Sequence, residues 1–314
     1  MPELSANNLV TIIGGSGFIG RNLVRELAKT GARLRIAIRH PNEAMFLRTM
    51  GDVGQIQIAQ ANINDEASLA NALEGASHVV NLAGTFSKGS YNALHVDGAE
   101  RVAQLCAEAG VDRLVQMSAI GADKKSASAY GRSKAAGEEA AREHFADVTI
   151  VRPSVVFGPE DGFFCHFAGL AKTLPFMPLP GGGTCLFQPI YVDDVADAIV
   201  TILGDDSTAG QVYELGGPRI MSLEETYEYV LETTHRTRLM PSMPFWAASF
   251  AATFLQMLPG NILRPDQVQM MKSDNIVSED ALTIADLGIT PTPAEAVMPA
   301  HMRRFRKAGA YERD

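Results

Sequence analysis

Seven residues near the start of the chain constrain its fold more than any other stretch. Gly14-Gly15-Ser16-Gly17-Phe18-Ile19-Gly20 comes directly after the apolar run Leu9–Ile13 and opens a helical pattern over Phe18–Lys29. Glycines at 14, 17 and 20 leave three positions without side chains along one strand-to-helix turn. A turn of this kind needs a tight bend at Gly14, backbone open to an incoming pyrophosphate at Gly17 and close helix–strand packing at Gly20. The free amides at the helix start form an anion site. Gly14, Ser16, Gly17, Phe18, Ile19 and Gly20 are therefore candidate cofactor-binding residues. A second strand pattern, Arg33–Ile38, follows at once, so strand, turn, helix and strand arrive in the order of a dinucleotide-binding βαβ unit.

The alternation continues. Gln55–Ala59, Ser77–Asn81, Arg113–Met117 and Val148–Val151 read as strands; Glu66–Leu73, Tyr91–Ala109 and Ser128–His144 read as helices. Six strands with crossover helices predict an α/β fold, a doubly wound parallel Rossmann sheet over residues 1–152. Residues 153–314 are left as a smaller, mainly helical substrate or partner region, with room for some segments to return to the sheet. There Leu174–Gly183 is rich in turn formers and predicts an irregular surface loop or a cap over the sheet edge. Val192–Leu203 reads as a helix and Gln211–Leu215 as extended. Ser222–Thr233 reads as a helix opened by a Ser222/Glu225 capping box. At 46% hydrophobic and 20% charged residues the chain can bury a sizeable core, which excludes disorder and fibrous structure.

Charge and cysteine usage exclude further classes. The net charge is −9, and no basic stripe occurs outside the tail His301–Lys307, so nucleic acid is not an expected partner. Cys106, Cys165 and Cys185 lack paired metal-ligand spacing, and the seven histidines are scattered; no metal is expected. Reduced thiols, and no basic or apolar leader pattern in Met1–Asn8, predict a cytoplasmic protein. Phe245–Leu258 is apolar apart from Ser249, Thr253 and Gln256, but its 14 residues fall short of the roughly 20 that span a bilayer. It reads either as a buried helix or as one lying on an apolar partner or on the inner face of the cytoplasmic membrane.

The end of the second strand bears on cofactor choice. Ile38-Arg39-His40-Pro41 offers a cation where an NAD site places Asp or Glu, so NADP(H) is favoured over NAD(H), with Arg39 on the 2′-phosphate and Arg21 the weaker candidate. Asn62 and Ile63 are placed to flank the adenine. Asn81, Ala83 and Gly84 let the cofactor pass the fourth strand. Tyr130 and Lys134, four residues apart on one helix face, suit a proton-exchanging phenol whose pKa is lowered by an ammonium that also holds the nicotinamide ribose. Asp193 and Asp194 read as a helix cap and a structural carboxylate, and His166 as a core or surface histidine.

With these residues in hand, the sequence resembles the short-chain dehydrogenases/reductases of the extended or atypical kind, which are NAD-dependent epimerase/dehydratase-like. The resemblance rests on Gly14–Gly20, Asn81-Leu82-Ala83-Gly84, Tyr130–Lys134, Arg152–Pro159 and Pro189–Ala196, and spans the whole fold. It implies cofactor contacts at Pro153 and Val155. A narrower likeness, through Asn81–Thr85, Ser118–Ala122, Pro153–Asp161, Phe187-Gln188-Pro189, Tyr213–Pro218 and Arg264–Val268, is to bacterial relatives of the NADPH-binding accessory subunit of respiratory complex I. That likeness implies an NADP(H)-binding protein linked to the respiratory chain or quinone metabolism, its cofactor structural. The alternative is an active NAD(P)H-dependent reductase or epimerase/dehydratase using Tyr130, Lys134 and Ser118 on an apolar carbonyl, quinone or sugar nucleotide. In the stretch Phe163–Lys172 only Lys172 would compensate a diphosphate. One departure from the enzymes stands out: Ser118 lies at the strand end, only 12 residues before Tyr130, with Ser126 and Ser128 as substitutes.

Overall fold

A computed structural model describes residues 4–159, 161–255, 265–307 and 309. The chain divides into two compact units. The first comprises residues 1–153, 192–215 and 279–290, and the second 154–191, 216–278 and 291–314.

The first unit is built on a parallel sheet of β1 (Leu9–Ile13), β2 (Arg33–Ile38), β3 (Ile56–Gln60), β4 (His78–Asn81), β5 (Arg113–Met117), β6 (Thr149–Pro153) and β7 (Val212–Leu215). Their order is β3-β2-β1-β4-β5-β6-β7. β1 is central and buried throughout, with Ile12 level with Ile36 on one side and Val80 on the other. A strand covered on both faces must be apolar at every position, which is why Leu-Val-Thr-Ile-Ile does not alternate. Strand order reverses between β1 and β4, and that switch point opens a crevice at the carboxyl ends of the strands. The seventh strand is the extended Gln211–Leu215 segment, trimmed by one residue and paired with β6.

Helices cover the sheet: α1 (Phe18–Lys29), α2 (Glu66–Leu73), α3 (Asp97–Glu108), α4 (Ala129–His144) and, from the later segment, α6 (Val192–Gly204). α6 packs along α1, where Arg25 Nη2 meets Asp193 Oδ1 at 2.6 Å. The single helix expected over Tyr91–Ala109 is broken: Asn92–Val96 forms a π-helical turn before α3 begins.

The second unit contains α5 (Phe164–Thr173), α7 (Leu223–Thr233), α8 (Phe245–Leu255), α9 (Pro265–Met270) and α10 (Ala294–Met302). Its core is aromatic and sulfur-rich, with Phe157, Phe164, Tyr227 and Met298 all buried. The Ser222/Glu225 capping box opens α7. Leu174–Gly183 is irregular but not superficial: Met177 and Leu179 enter the core, and Leu179–Pro180 pairs with Ser242–Met243. Turn-forming residues set the backbone there while the apolar residues between them still seek burial. α8 presents two faces. Ala248 and Ala252 are buried against Val268, whereas Trp246 and Phe250 are 76% and 66% exposed. Residues 256–258 of the apolar stretch, and Arg264, lie outside the described residues.

Candidate functional site: a dinucleotide crevice

The glycine turn has the geometry that its spacing requires. Gly14 takes φ +80°, donates to the Ala37 carbonyl at 3.0 Å and accepts from the Gly17 amide at 3.1 Å. A Cβ at Gly20 would stand 2.6 Å from the Gly15 Cα and 2.7 Å from the Gly14 carbonyl oxygen, both backbone atoms that cannot yield. Gly17 caps α1 with no side-chain hydrogen bond, and the first turn carries no acidic residue. Ser16 and Gly17 are exposed, and Phe18 and Ile19 partly so. An uncapped helix start without a carboxylate suits an anion, so these residues fit a pyrophosphate.

The neighbouring strand ends extend the same edge. Arg39, just after β2, is exposed and makes no ion pair among the described residues. Asn62 is exposed after β3, where its Oδ1 accepts from the Asn64 amide at 3.1 Å. Ile63 is buried, its side chain lying against Gly98 of α3. After β4, Asn81 builds the turn: its Nδ2 donates to Gln116 Oε1 at 2.9 Å and its Oδ1 accepts from the Ala83 amide at 3.1 Å. Gly84 is exposed, and a Cβ there would come 3.7 Å from Lys134 Nζ. Pro153 ends β6 and accepts from the Ile120 amide. Val155 belongs to the second unit, where its carbonyl accepts from Ile190.

Ser128 starts α4 by accepting from the amides of Tyr130 and Gly131 at 3.1 and 3.3 Å. Ser126 Oγ accepts from the Ser128 amide, so both serines build the turn. Tyr130, Lys134 and Glu138 then fall on successive turns of one buried stripe. Lys134 Nζ lies 5.8 Å from the Tyr130 ring centroid and donates to the Met117 carbonyl at 3.2 Å. Burial lowers the Lys134 ammonium to about 8, against the opposing pull of Glu138. The Tyr130 phenol moves the other way from the expectation. Burial, with a smaller contribution from Tyr91, holds it above its ordinary value.

Ser118 is buried with its hydroxyl donated to Glu138 Oε1. Arg152 grips the same carboxylate through Nε at 2.8 Å and Nη2 at 2.6 Å, and reaches Glu214 at 3.3 Å. Glu138 extends the Tyr130, Lys134 spacing by four, a signal present in the sequence; its partners, Ser118 and Arg152, come from the end of β5 and from β6. His95 gave no such signal. It sits in the π-helical turn, stacked on Tyr91 and edge-on to Tyr130 at 5.3 and 5.5 Å between centroids. Phe86 stacks on the Tyr130 ring at 5.0 Å.

The other candidates lie elsewhere. His166 in the second unit is partly buried with its ring near Phe167. Asp193 pairs with Arg25, and Asp194 is buried. Among the described residues no group of three or more His, Cys, Asp or Glu could hold a metal, and no helix is long and apolar enough to cross a membrane.

Comparison with known proteins gives this crevice its context. The NAD dependent epimerase/dehydratase family model matches residues 10–216. NADH dehydrogenase (ubiquinone) 1 alpha subcomplex subunit 9, mitochondrial, of Arabidopsis thaliana is 34% identical over 319 residues, covering 96% of this chain and 79% of that protein. Ceramide reductase of Caulobacter vibrioides is 31% identical over 198 residues, 62% of this chain and 61% of its own. Among solved structures, the NADPH-dependent quinone oxidoreductase of Escherichia coli in complex with NADPH has a TM-score of 0.75 at 20% identity, covering 92% of this chain and 98% of that one. Identity so low speaks for the fold alone. The glycine turn at the switch point, the family match across it and the kinship along 96% of the chain agree: the chain belongs to the NAD dependent epimerase/dehydratase family, alongside the mitochondrial alpha subcomplex subunit 9 proteins.

Proposed function

We propose that this chain is an NADP(H)-binding protein attached to the respiratory chain, as an accessory component of an NADH dehydrogenase, with the dinucleotide held as part of its fold. The observation that carries the reading is the 34% identity to subunit 9 along 96% of the chain. The site chemistry supports it. The α1 amides would take the pyrophosphate, Arg39 the 2′-phosphate, Asn62 and Ile63 the adenine, and Ala83, Gly84 and Lys134 the second half. When bound, the nicotinamide would supply hydride chemistry. Ser118, however, is committed to Glu138, which leaves holding the dinucleotide as the better-supported role. A ligand bound only by the folded state stabilises it by about 2.7 kcal/mol at a hundred times its dissociation constant, with no turnover required. The exposed aromatic face of α8 would dock on the inner face of the cytoplasmic membrane, beside the complex.

A second reading is favoured by the buried Tyr130–Lys134 pair and by the ceramide reductase relative. Here the chain reduces an apolar carbonyl or quinone, with Tyr130 as proton donor. Native electrophoresis of gently solubilised membranes from the source organism separates the two. Co-migration with the NADH dehydrogenase complex supports the accessory role. A wholly soluble chain overturns that role and directs attention to NADPH turnover, which Tyr130→Phe should then abolish.

A further inference from the structure

His95 joins three elements of the first unit at one point. Its Nε2 accepts the Thr85 amide at 3.0 Å, on the loop after β4. Its Nδ1 lies 2.9 Å from Ser133 Oγ on α4, and that hydroxyl donates to the Tyr130 carbonyl at 2.8 Å. The directions are forced. A backbone N–H can only donate, so Nε2 is bare and the imidazole proton sits on Nδ1, pointing at Ser133. Burial, followed by the Lys134 charge, depresses His95 to about 3, so this neutral tautomer persists across the physiological range.

The helices are shaped to seat it. The extra residue of the π-helical turn displaces His95 from the register that a continuous α-helix would impose. On α4, Gly137 faces it, and a Cβ there would overlap the His95 carbonyl oxygen. Mid-helix glycine weakens a helix relative to alanine, so the close approach comes at some expense in helix stability. Gly84 ends up between two nitrogens, since a Cβ there would stand 3.7 Å from Lys134 Nζ and 3.8 Å from His95 Nε2.

We infer that His95 is a positioning residue for the nicotinamide half of the dinucleotide, fixing the Gly84–Thr85 backbone over Lys134. The inference rests on the dinucleotide reading above. With the pyrophosphate at the α1 start and the adenine over β2 and β3, the other half of the molecule lies over β4, β5 and α4. His95 does no proton transfer, because both of its nitrogens are engaged in one fixed direction.

The test is calorimetric titration of the full-length protein with NADPH and with its adenine half, 2′,5′-ADP, and likewise with NADH and ADP. His95→Phe keeps the ring stacked on Tyr91 but removes both nitrogens. It should weaken the dinucleotide about tenfold, as expected when a part-buried amide loses its partner, while the adenine halves bind as before. His95→Gln, which offers an acceptor and a donor, should recover most of the loss. Equal weakening of dinucleotide and half, or no change in either, overturns the inference. Wild-type protein that binds neither dinucleotide nor half overturns the dinucleotide reading and the inference with it. If His95→Phe does not fold, Ser133→Ala takes its place. It should show the same selective loss to a smaller degree, and an unchanged ratio of dinucleotide to half overturns the role.

Discussion

At the residue scale, two cations near the crevice make separable predictions. Arg39 is exposed and makes no ion pair among the described residues, so its charge is available to a 2′-phosphate and contributes little to the fold. Arg39→Ala should therefore weaken NADPH about tenfold, NADH by less than about twofold, and leave the melting temperature unchanged, since a charge-assisted contact is worth roughly 1.5–3 kcal/mol. Equal loss for both cofactors would place the discriminating cation elsewhere. Lys134 behaves in the opposite way, because it is buried and its pKa falls from the ordinary 10.5 to about 8. Between those two values the unfolded chain holds a proton that the folded chain has released, so stability rises with pH across that window. Below about pH 8 both states are charged and the folded state carries a constant penalty. Lys134→Met should thus be more stable than the wild type at pH 7, by about 1–3 kcal/mol, with the gap closing as pH approaches 10. Denaturant melts at several pH values check this. The same variant should lose dinucleotide affinity, the usual exchange of stability for function at a built site.

At the element scale, what could be read from the sequence divides along a physical line. β1, α1 and β2 were legible to the residue, because an apolar run, a glycine turn and a 3.6-residue pattern are local signals. β7 was legible as extended, while its place beside β6 is decided by pairing across about sixty residues, which no local pattern encodes. The π-helical turn was not legible. Tyr91–Ala109 reads as one helix, and the turn goes with the close approach of the His95 carbonyl to Gly137 of α4, a tertiary contact that no local pattern encodes. The site divides in the same way. The Gly14–Gly20 turn and the Tyr130–Lys134 stripe follow from spacing. The partners of Ser118, by contrast, come from α4 and, through Glu138, from Arg152 of β6, so its hydroxyl could not be placed from its own neighbourhood. Met177 and Leu179 teach the converse lesson, since a stretch punctuated by proline and glycine still sends its apolar side chains into the core.

At the scale of the whole molecule, charge is distributed unevenly between the two units. The first contains sixteen Lys and Arg against twenty-five Asp and Glu; the second contains eleven of each. The entire net charge of −9 thus belongs to the dinucleotide-binding unit, and the unit bearing α8 is neutral. An anionic surface would repel the first unit and leave the second indifferent, so any attachment through α8 must come from burying Trp246 and Phe250. Side chains of this kind anchor by apolar area, with the Trp246 indole N–H left to the headgroups. That origin fixes the response to salt. At ~1 M KCl the screening length is about 3 Å, which dissolves attachments held by charge but not those held by apolar burial. Membranes washed in such salt should retain the wild-type chain, whereas the double variant Trp246→Ser, Phe250→Ser should wash free even at low salt. Both side chains are mostly exposed, so the variant should melt within about 1 kcal/mol of the wild type, which separates lost attachment from lost fold. Release of the wild type by salt alone, or retention of the double variant, would remove α8 as the docking face and shift the search to charged surfaces of the second unit, beginning with Arg303, Arg304 and Lys307.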